Sequence, residues 1–124
     1  GGPNWCERIE SGLISYGGDT DAATNPFEVR MGRYVDLDVP DDTVGIAALR
    51  RIAAEGPKRH SLGLVLDGDA PVTPGFTWHP ILQDGRKLGD MTNVVFSYRL
   101  KRNIGFALID RRCSIGDRVT AEIG

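Results

Sequence analysis

The chain has 124 residues, a length that suits one modest domain or a small domain joined to part of another. Its formal net charge of −2 gives no electrostatic attraction to nucleic acid or to an anionic membrane, so we expect neither as a partner. No apolar run approaches the roughly 20 residues that a membrane-spanning helix needs.

The two cysteines, Cys6 and Cys113, are far apart and belong to no metal-binding spacing, so we predict no metal site. A reduced, cytoplasmic setting is compatible with them, and no secretory signal is present. The chain begins with Gly1-Gly2-Pro3 and not with Met, which suggests a fragment, a processed chain or a remnant of cloning.

The N-terminal part reads as short helices separated by polar loops. Residues 4–11 predict the end of a helix in which Trp5 and Ile9 share a face. Residues 14–27 are rich in Gly, Asp and Asn and predict a loop. Residues 26–34 predict a helical turn that starts with a proline.

A clearer helix follows the acidic segment 36–42. Asp42 or Thr43 is predicted to cap it, and the Asp41-Asp42 pair is expected to stabilise the helix dipole. Gly56-Pro57 should end the helix. Its apolar positions fall at helical spacing: Ile46, Leu49, Ile52 and Ala53.

From residue 60 onward the pattern changes to short alternating runs separated by turn signals, which indicates a β-barrel or sandwich. In the longest run, Leu88, Val94 and Phe96 share one parity, while Met91 and Val95 share the other. We therefore predict an α+β chain with a boundary near residue 58. The runs are 62–66, 76–82, 86–96, 104–108 and 119–123.

The residue types that most often carry catalysis form no recognisable motif. His60 and His79 have no serine or cysteine partner in a known local pattern, so we interpret both as structural or surface residues. Asp67-Gly68-Asp69 lacks the later ligands of a calcium loop and predicts a turn. The arginines of the C-terminal third read as solvated surface: Arg99, Arg102, Arg111, Arg112 and Arg118.

The order of several short motifs resembles the glycine cleavage T-protein (aminomethyltransferase) family. The motifs are Arg8-Ile9-Glu10-Ser11-Gly12, Tyr16-Gly17-Gly18-Asp19 and Asn25-Pro26-Phe27-Glu28, followed by Leu88-Gly89-Asp90-Met91-Thr92 and the segment 97–104. The resemblance covers nearly the whole chain. It implies that residues 1–57 are the C-terminal part of a folate-binding domain and that residues 58–124 are a small antiparallel β-barrel.

In that family a Glu at the position of Glu10 binds the pterin ring of tetrahydrofolate. A carboxylate suits this role because it accepts two adjacent N–H groups in a charge-assisted way. The alternative is that Glu10 pairs locally with Arg8 or Arg99. Tyr16 is a second candidate, which either packs near the ligand or anchors its loop. Trp5 is expected to pack in the core.

The resemblance implies transfer of a methylene or methyl group to N5 of tetrahydrofolate, from a small-molecule donor and with a lipoyl carrier protein as a further partner. The family's catalytic Asp belongs to an N-terminal segment with no counterpart here. We therefore predict no catalytic residue in this chain and no activity for it alone.

Two departures from the family pattern bear on the donor. Residues 36–40 are acidic where the family has a basic run, and Thr92-Asn93-Val94 replaces Thr-Ser-Gly. Both suggest a paralogue, either a folate-dependent demethylase or an aminomethyltransferase for another substrate. A non-catalytic folate-binding or β-barrel interaction module is the alternative of a different class.

Overall fold

Short helices precede an antiparallel sheet in the computed structural model, which describes residues 4–75 and 77–123. None of the helices in these two ranges is both long and apolar enough to cross a membrane. The elements are α1 (Trp5–Glu10), a 3-10 helix (Gly32–Tyr34), α2 (Ile46–Glu55), β1 (Arg59–Leu66), β2 (His79–Gln83), β3 (Arg86–Ser97), β4 (Arg102–Asp110) and β5 (Thr120–Ala121).

The five strands form one antiparallel sheet in the order β1-β4-β3-β2-β5. The α+β class is confirmed, and each predicted run overlaps a strand, but β2 starts only at His79 and β5 spans only Thr120–Ala121. Phe76, at the start of the second predicted run, lies outside the described residues. Within the described ranges β1 and β5 are the two edges of the sheet, so the barrel-like sheet is not closed.

Helix α1 ends where the sequence predicts, but it has a capped start of its own and is not only the end of a longer helix. The Asn4 side chain accepts a hydrogen bond from the backbone N–H of Glu7 at 2.8 Å and so caps the first turn. Ile9 is buried and Trp5 packs beside it against the sheet, as the shared helical face predicts. The helix has only six residues, so its stability comes from this packing.

The start of α2 was predicted wrongly. Neither Asp42 nor Thr43 caps the helix, because a turn intervenes and Gly45, at a φ of 80°, is the residue before the first helical position. Asp41 forms an ion pair with Arg50 at 2.6 Å, and no acidic residue lies in the first helical turn. The predicted end at Gly56 is confirmed.

The segment 26–34 also differs from the single helical turn that the sequence predicts. Residues 26–30 form hydrogen-bonded turns, in which the Met31 N–H donates to the Pro26 carbonyl at 2.9 Å. The 3-10 helix then starts only at Gly32. Arg30, between the two, has a φ of 61°, and this left-handed residue interrupts a continuous helix.

A β-bulge in β3 changes which of its side chains share a face of the sheet, compared with the grouping that simple alternation predicts. Met91 pairs with Ala107 and Asn93 with Phe106, so Thr92 is an extra residue in β3. One inserted residue moves every later side chain to the other face of the sheet. As a result Met91 packs with Val94, whereas Val95 lies on the opposite face.

The two faces of the sheet carry two apolar clusters. The inner face gathers residues from all five strands, and helix α1 covers the outer face of β3 and β4. The buried members of the inner cluster are Ile81, Met91, Val94, Ala107, Ile109 and Cys113. The buried members of the outer cluster are Ile9, Val95, Ile104 and Phe106.

Gly105 allows β3 and β4 to approach closely just beyond the bulge. A Cβ atom at Gly105 would lie 2.2 Å from the carbonyl oxygen of Asn93, and this neighbour is backbone that cannot rotate away. We expect Gly105→Ala to lower the free energy of unfolding by about 1–3 kcal/mol, as overpacking does. Urea unfolding measures the loss.

Gly63→Ala is the matched control, because Gly63 also lies in a strand but has nothing within 4 Å of an added Cβ. We expect Gly63→Ala to change stability by less than about 0.5 kcal/mol. Equal effects of the two substitutions would contradict the close approach at Gly105.

Candidate ligand-binding site between the first helix and the sheet

Glu10, the last residue of α1, lies against the end of β3. Its Oε1 atom accepts hydrogen bonds from Ser97 Oγ at 2.5 Å and from Cys6 Sγ at 3.2 Å. Its Oε2 atom accepts none from the described residues. Arg8, considered above as a local partner, forms an ion pair with Asp19 instead. One oxygen of the Glu10 carboxylate is therefore hydrogen-bonded to the sheet, and the other accepts no hydrogen bond from the described residues.

Hydrogen bonding lowers the pKa of Glu10, and burial is the main cause that raises the pKa of Cys6. The Ser97 hydroxyl, followed by the Cys6 thiol, lowers the pKa of Glu10 despite partial burial, and the charge of Arg99 adds to the effect. Burial, followed by the hydrogen bond and the charge of Glu10, raises the pKa of Cys6. At neutral pH Glu10 is therefore a carboxylate and Cys6 a neutral thiol that donates to it.

A second carboxylate, Asp19, lies buried between α1 and the sheet with 3% of its surface exposed. Its Oδ2 atom accepts from Arg8 Nη1 at 2.6 Å and from the Ser15 N–H at 2.9 Å. Its Oδ1 atom accepts from Thr92 Oγ1 at 3.0 Å and from Asn93 Nδ2 at 3.2 Å. Ser15 Oγ also donates to Oδ2 at 3.4 Å, so an ion pair and four further donors satisfy this buried charge, as burial requires.

The bulge explains how two consecutive residues of β3 reach the same oxygen. In a regular strand the side chains of Thr92 and Asn93 would point to opposite faces. Because Thr92 is inserted opposite the Ala107–Phe106 step, both side chains turn toward Asp19. The irregularity in β3 thus forms part of the site.

Two tryptophans tie the surrounding elements together. Trp5 Nε1 of α1 donates to Asn93 Oδ1 at 2.5 Å, so Asn93 bridges the helix and Asp19. Trp78 Nε1, just before β2, donates to the carbonyl oxygen of Gly18 at 2.6 Å. The loop that carries Asp19 is therefore anchored to the sheet on both sides. The expected core packing of Trp5 is confirmed.

Tyr16 lies in the same loop but not in this network. Its side chain is 78% exposed, and its backbone forms a bridge with Thr20. Among the described residues no hydrogen bond joins Tyr16 to Glu10. The structure thus brings Glu10 into a preorganised cluster and leaves Tyr16 on the surface beside it.

His60 and Arg112 have partners outside the Glu10 cluster. A ring nitrogen of His60 lies 2.8 Å from the carbonyl oxygen of Cys113, a structural contact. The basic C-terminal third is exposed as predicted, and its ion pairs include Arg112 with Asp110. That pair, with Arg112 as the main cause, lowers the pKa of Asp110 to about 2. In the described part of the chain no group of three or more His, Cys, Asp or Glu is placed to hold a metal ion.

An open groove of about 600 Å³ lies apart from the Glu10 cluster. It runs between the loop after α1, the 3-10 helix and β1, and neither Glu10 nor Ser97 lines it. Arg33 stacks on the exposed ring of Tyr34 at its rim, 4.8 Å from the ring centroid. Its floor includes Ile14, Leu62 and Phe106.

Residues 59–124 match the family model of the glycine cleavage T-protein C-terminal barrel domain, which is just over half of the chain. The fold and the ordered motifs define a domain of this class. The chain belongs to the glycine cleavage T-protein family.

The named relatives include a demethylase and aminomethyltransferases. The chain is 37% identical to dimethylsulfoniopropionate demethylase DmdA of Ruegeria pomeroyi over 90% of its length, and this match covers 29% of the relative. It is 35% identical to an aminomethyltransferase of Synechococcus sp. over 94% of its length, which covers 31% of that protein. The chain thus spans about a third of these relatives.

A solved structure shares the fold. The glycine cleavage system aminomethyltransferase T from Bartonella henselae superposes with a TM-score of 0.77 over 94% of this chain and 32% of that one, at 21% identity. The agreement supports the α+β architecture. The domain boundary near residue 58 stays a prediction.

Glu10 is a site residue predicted from the sequence, whereas Asp19 and Ser97 are not. Asp19 stood within the quoted Tyr16-Gly17-Gly18-Asp19 motif, so its position was visible and its partners were not. Ser97 stood in a quoted barrel segment without any local signal. Both acquire their roles through contacts between residues more than 70 positions apart, which no local pattern reports.

We expect Asp19→Ala to destabilise the chain by about 3–5 kcal/mol, because it leaves the partly buried Arg8 guanidinium without its partner. Urea unfolding monitored by tryptophan fluorescence measures the change. Asp42→Ala is the control, because Asp42 is exposed and bonded to no described residue. If Asp19→Ala proved as stable as Asp42→Ala, Asp19 would not organise the site.

Proposed function

We propose that this chain is the pterin-binding C-terminal portion of a tetrahydrofolate-dependent one-carbon transferase. The observation that carries the proposal is the Glu10 carboxylate, which is ionised and held at Oε1 by Ser97 while Oε2 remains uncommitted among the described residues. The family to which the chain belongs gives this carboxylate its proposed ligand. The cytoplasmic setting and a lipoyl carrier protein remain predictions.

The chemistry of the pterin edge suits such a carboxylate. Adjacent N–H donors of the ring would find a negative acceptor whose orientation is already fixed, and hydrogen bonds to a charged acceptor are stronger than neutral ones. Because Oε1 already accepts two hydrogen bonds, we expect the main ligand contact at Oε2. This refines the bidentate contact expected from the sequence.

The one-carbon donor is the open part of the proposal. The chain is almost equally similar to a dimethylsulfoniopropionate demethylase and to aminomethyltransferases. This near-equality favours a folate-dependent demethylase as the second candidate function, in line with the acidic segment 36–40. Tyr16, exposed on the neighbouring loop, is the weaker ligand-binding candidate.

Glu10→Gln in the full-length protein tests the proposal. We expect it to weaken binding of 5-formyltetrahydrofolate by at least about tenfold, because a charge-assisted hydrogen bond becomes a neutral one. Isothermal titration calorimetry at neutral pH measures the dissociation constant. Glu7→Gln is the matched control, because Glu7 is on the same helix and its side chain is exposed.

An unchanged dissociation constant for Glu10→Gln would remove Glu10 from the ligand site. Absence of any binding by the unmutated full-length protein would overturn the folate proposal itself and favour the non-catalytic interaction module.

A further inference from the structure

We propose that Ser97 is a positioning residue that holds the Glu10 carboxylate in the orientation in which it binds its ligand. This inference rests on the proposed function of Glu10. Its basis is the 2.5 Å hydrogen bond from Ser97 Oγ to Glu10 Oε1, made by a serine with none of its surface exposed.

The Ser97 hydroxyl accepts one hydrogen bond and donates its proton to Glu10. Its oxygen accepts a hydrogen bond from the Leu100 N–H at 3.0 Å, in the turn that follows β3. A hydroxyl has one proton, and Glu10 Oε1 at 2.5 Å is its stronger acceptor, because the neighbouring Cys6 sulfur accepts only weakly. Full burial also keeps water from competing for it.

The Cys6 thiol does not provide the same constraint. Its sulfur lies 3.2 Å from Glu10 Oε1 but also 3.6 Å from the carbonyl oxygen of Phe96, so its single proton has two acceptors. A thiol is moreover a weak donor. Ser97 is therefore the group that fixes the carboxylate, and Cys6 packs beside it.

Fixing the carboxylate matters because Glu has a long, flexible side chain. Ordering such a side chain on binding costs about 0.5–1.5 kcal/mol. With Oε1 bound to the sheet before the ligand arrives, that ordering is already complete and Oε2 is presented in one place. The β3 bulge places Ser97 for this hydrogen bond. It turns Val95, and Ser97 two residues later, toward α1.

Ser97→Ala in the full-length protein tests the inference, with 5-formyltetrahydrofolate as the probe and calorimetry as the readout. We expect the dissociation constant to rise about three- to tenfold, the range of one net hydrogen bond. Ser97→Cys occupies similar space with a weaker donor, and we expect an intermediate value. Ser11→Ala, an exposed serine at the end of α1, is the control.

A double-mutant cycle separates positioning from general structural support. If Ser97 acts through Glu10, Ser97→Ala has little further effect on binding in a Glu10→Ala background, where the acceptor of the Ser97 hydroxyl is gone. An equal loss in both backgrounds would show a merely structural role and overturn the inference. If Glu10→Gln weakens binding and neither Ser97 variant does, the inference fails and the proposed function stands. If Glu10→Gln has no effect, Glu10 is not in the ligand site and the inference fails with it, whereas the proposed function itself fails if the unmutated full-length protein does not bind.

The acid limb of binding, which is the fall in ligand affinity at acidic pH, provides a second measurement. The ligand needs the ionised carboxylate, so binding is lost as pH falls through the pKa of Glu10. The Ser97 hydrogen bond is the main cause that lowers this pKa below its ordinary value of 4.5, with Cys6 and Arg99 acting in the same direction. Ser97→Ala should therefore move the acid limb to higher pH. An unmoved limb would contradict a direct action on Glu10.

Discussion

The buried carboxylate of Asp19 is the constraint on which the rest of this site depends. It is almost fully enclosed, and its hydrogen bonds come from Arg8 of α1, from Ser15 of its own loop and from the Thr92-Asn93 step of β3. A buried charge that loses its partners costs several kcal/mol. The loop, the helix and the sheet are therefore fixed relative to one another, and Glu10 takes its place beside Ser97 as a consequence.

The bulge at Thr92 serves both carboxylates. It lets two neighbouring side chains reach Asp19. It also moves the side chains of all later β3 residues to the opposite face of the sheet. Without the inserted residue Ser97 would share the inner face with Met91, far from α1. A single backbone irregularity thus supplies the donors for Asp19 and the donor for Glu10, which is why the two groups form one structural unit.

Periodicity predicted much of the fold. The strands and the end of α2 follow from alternation, turn residues and Gly56, whose physical signals are local. The start of α2 was missed because Asp42 and Thr43 have the chemistry of caps, while the turn that ends at Gly45 separates them from the helix. The bulge could not be predicted, because the alternation pattern assumes that side chains change face at every residue of a strand. The Asp19 site joins residues 73 and 74 positions apart, so only the folded chain reveals it.

The shortness of α1 determines how a ligand at Glu10 would be linked to the fold. A helix of six residues has little stability of its own, so the position of Glu10 is set by Trp5, Ile9 and the bonds to β3. A ligand bound to the positioned carboxylate binds the folded arrangement and not the frayed one, and it stabilises these contacts in proportion to its affinity. Ligand binding at Glu10 and the packing of α1 on the sheet therefore stabilise the same folded arrangement of the helix.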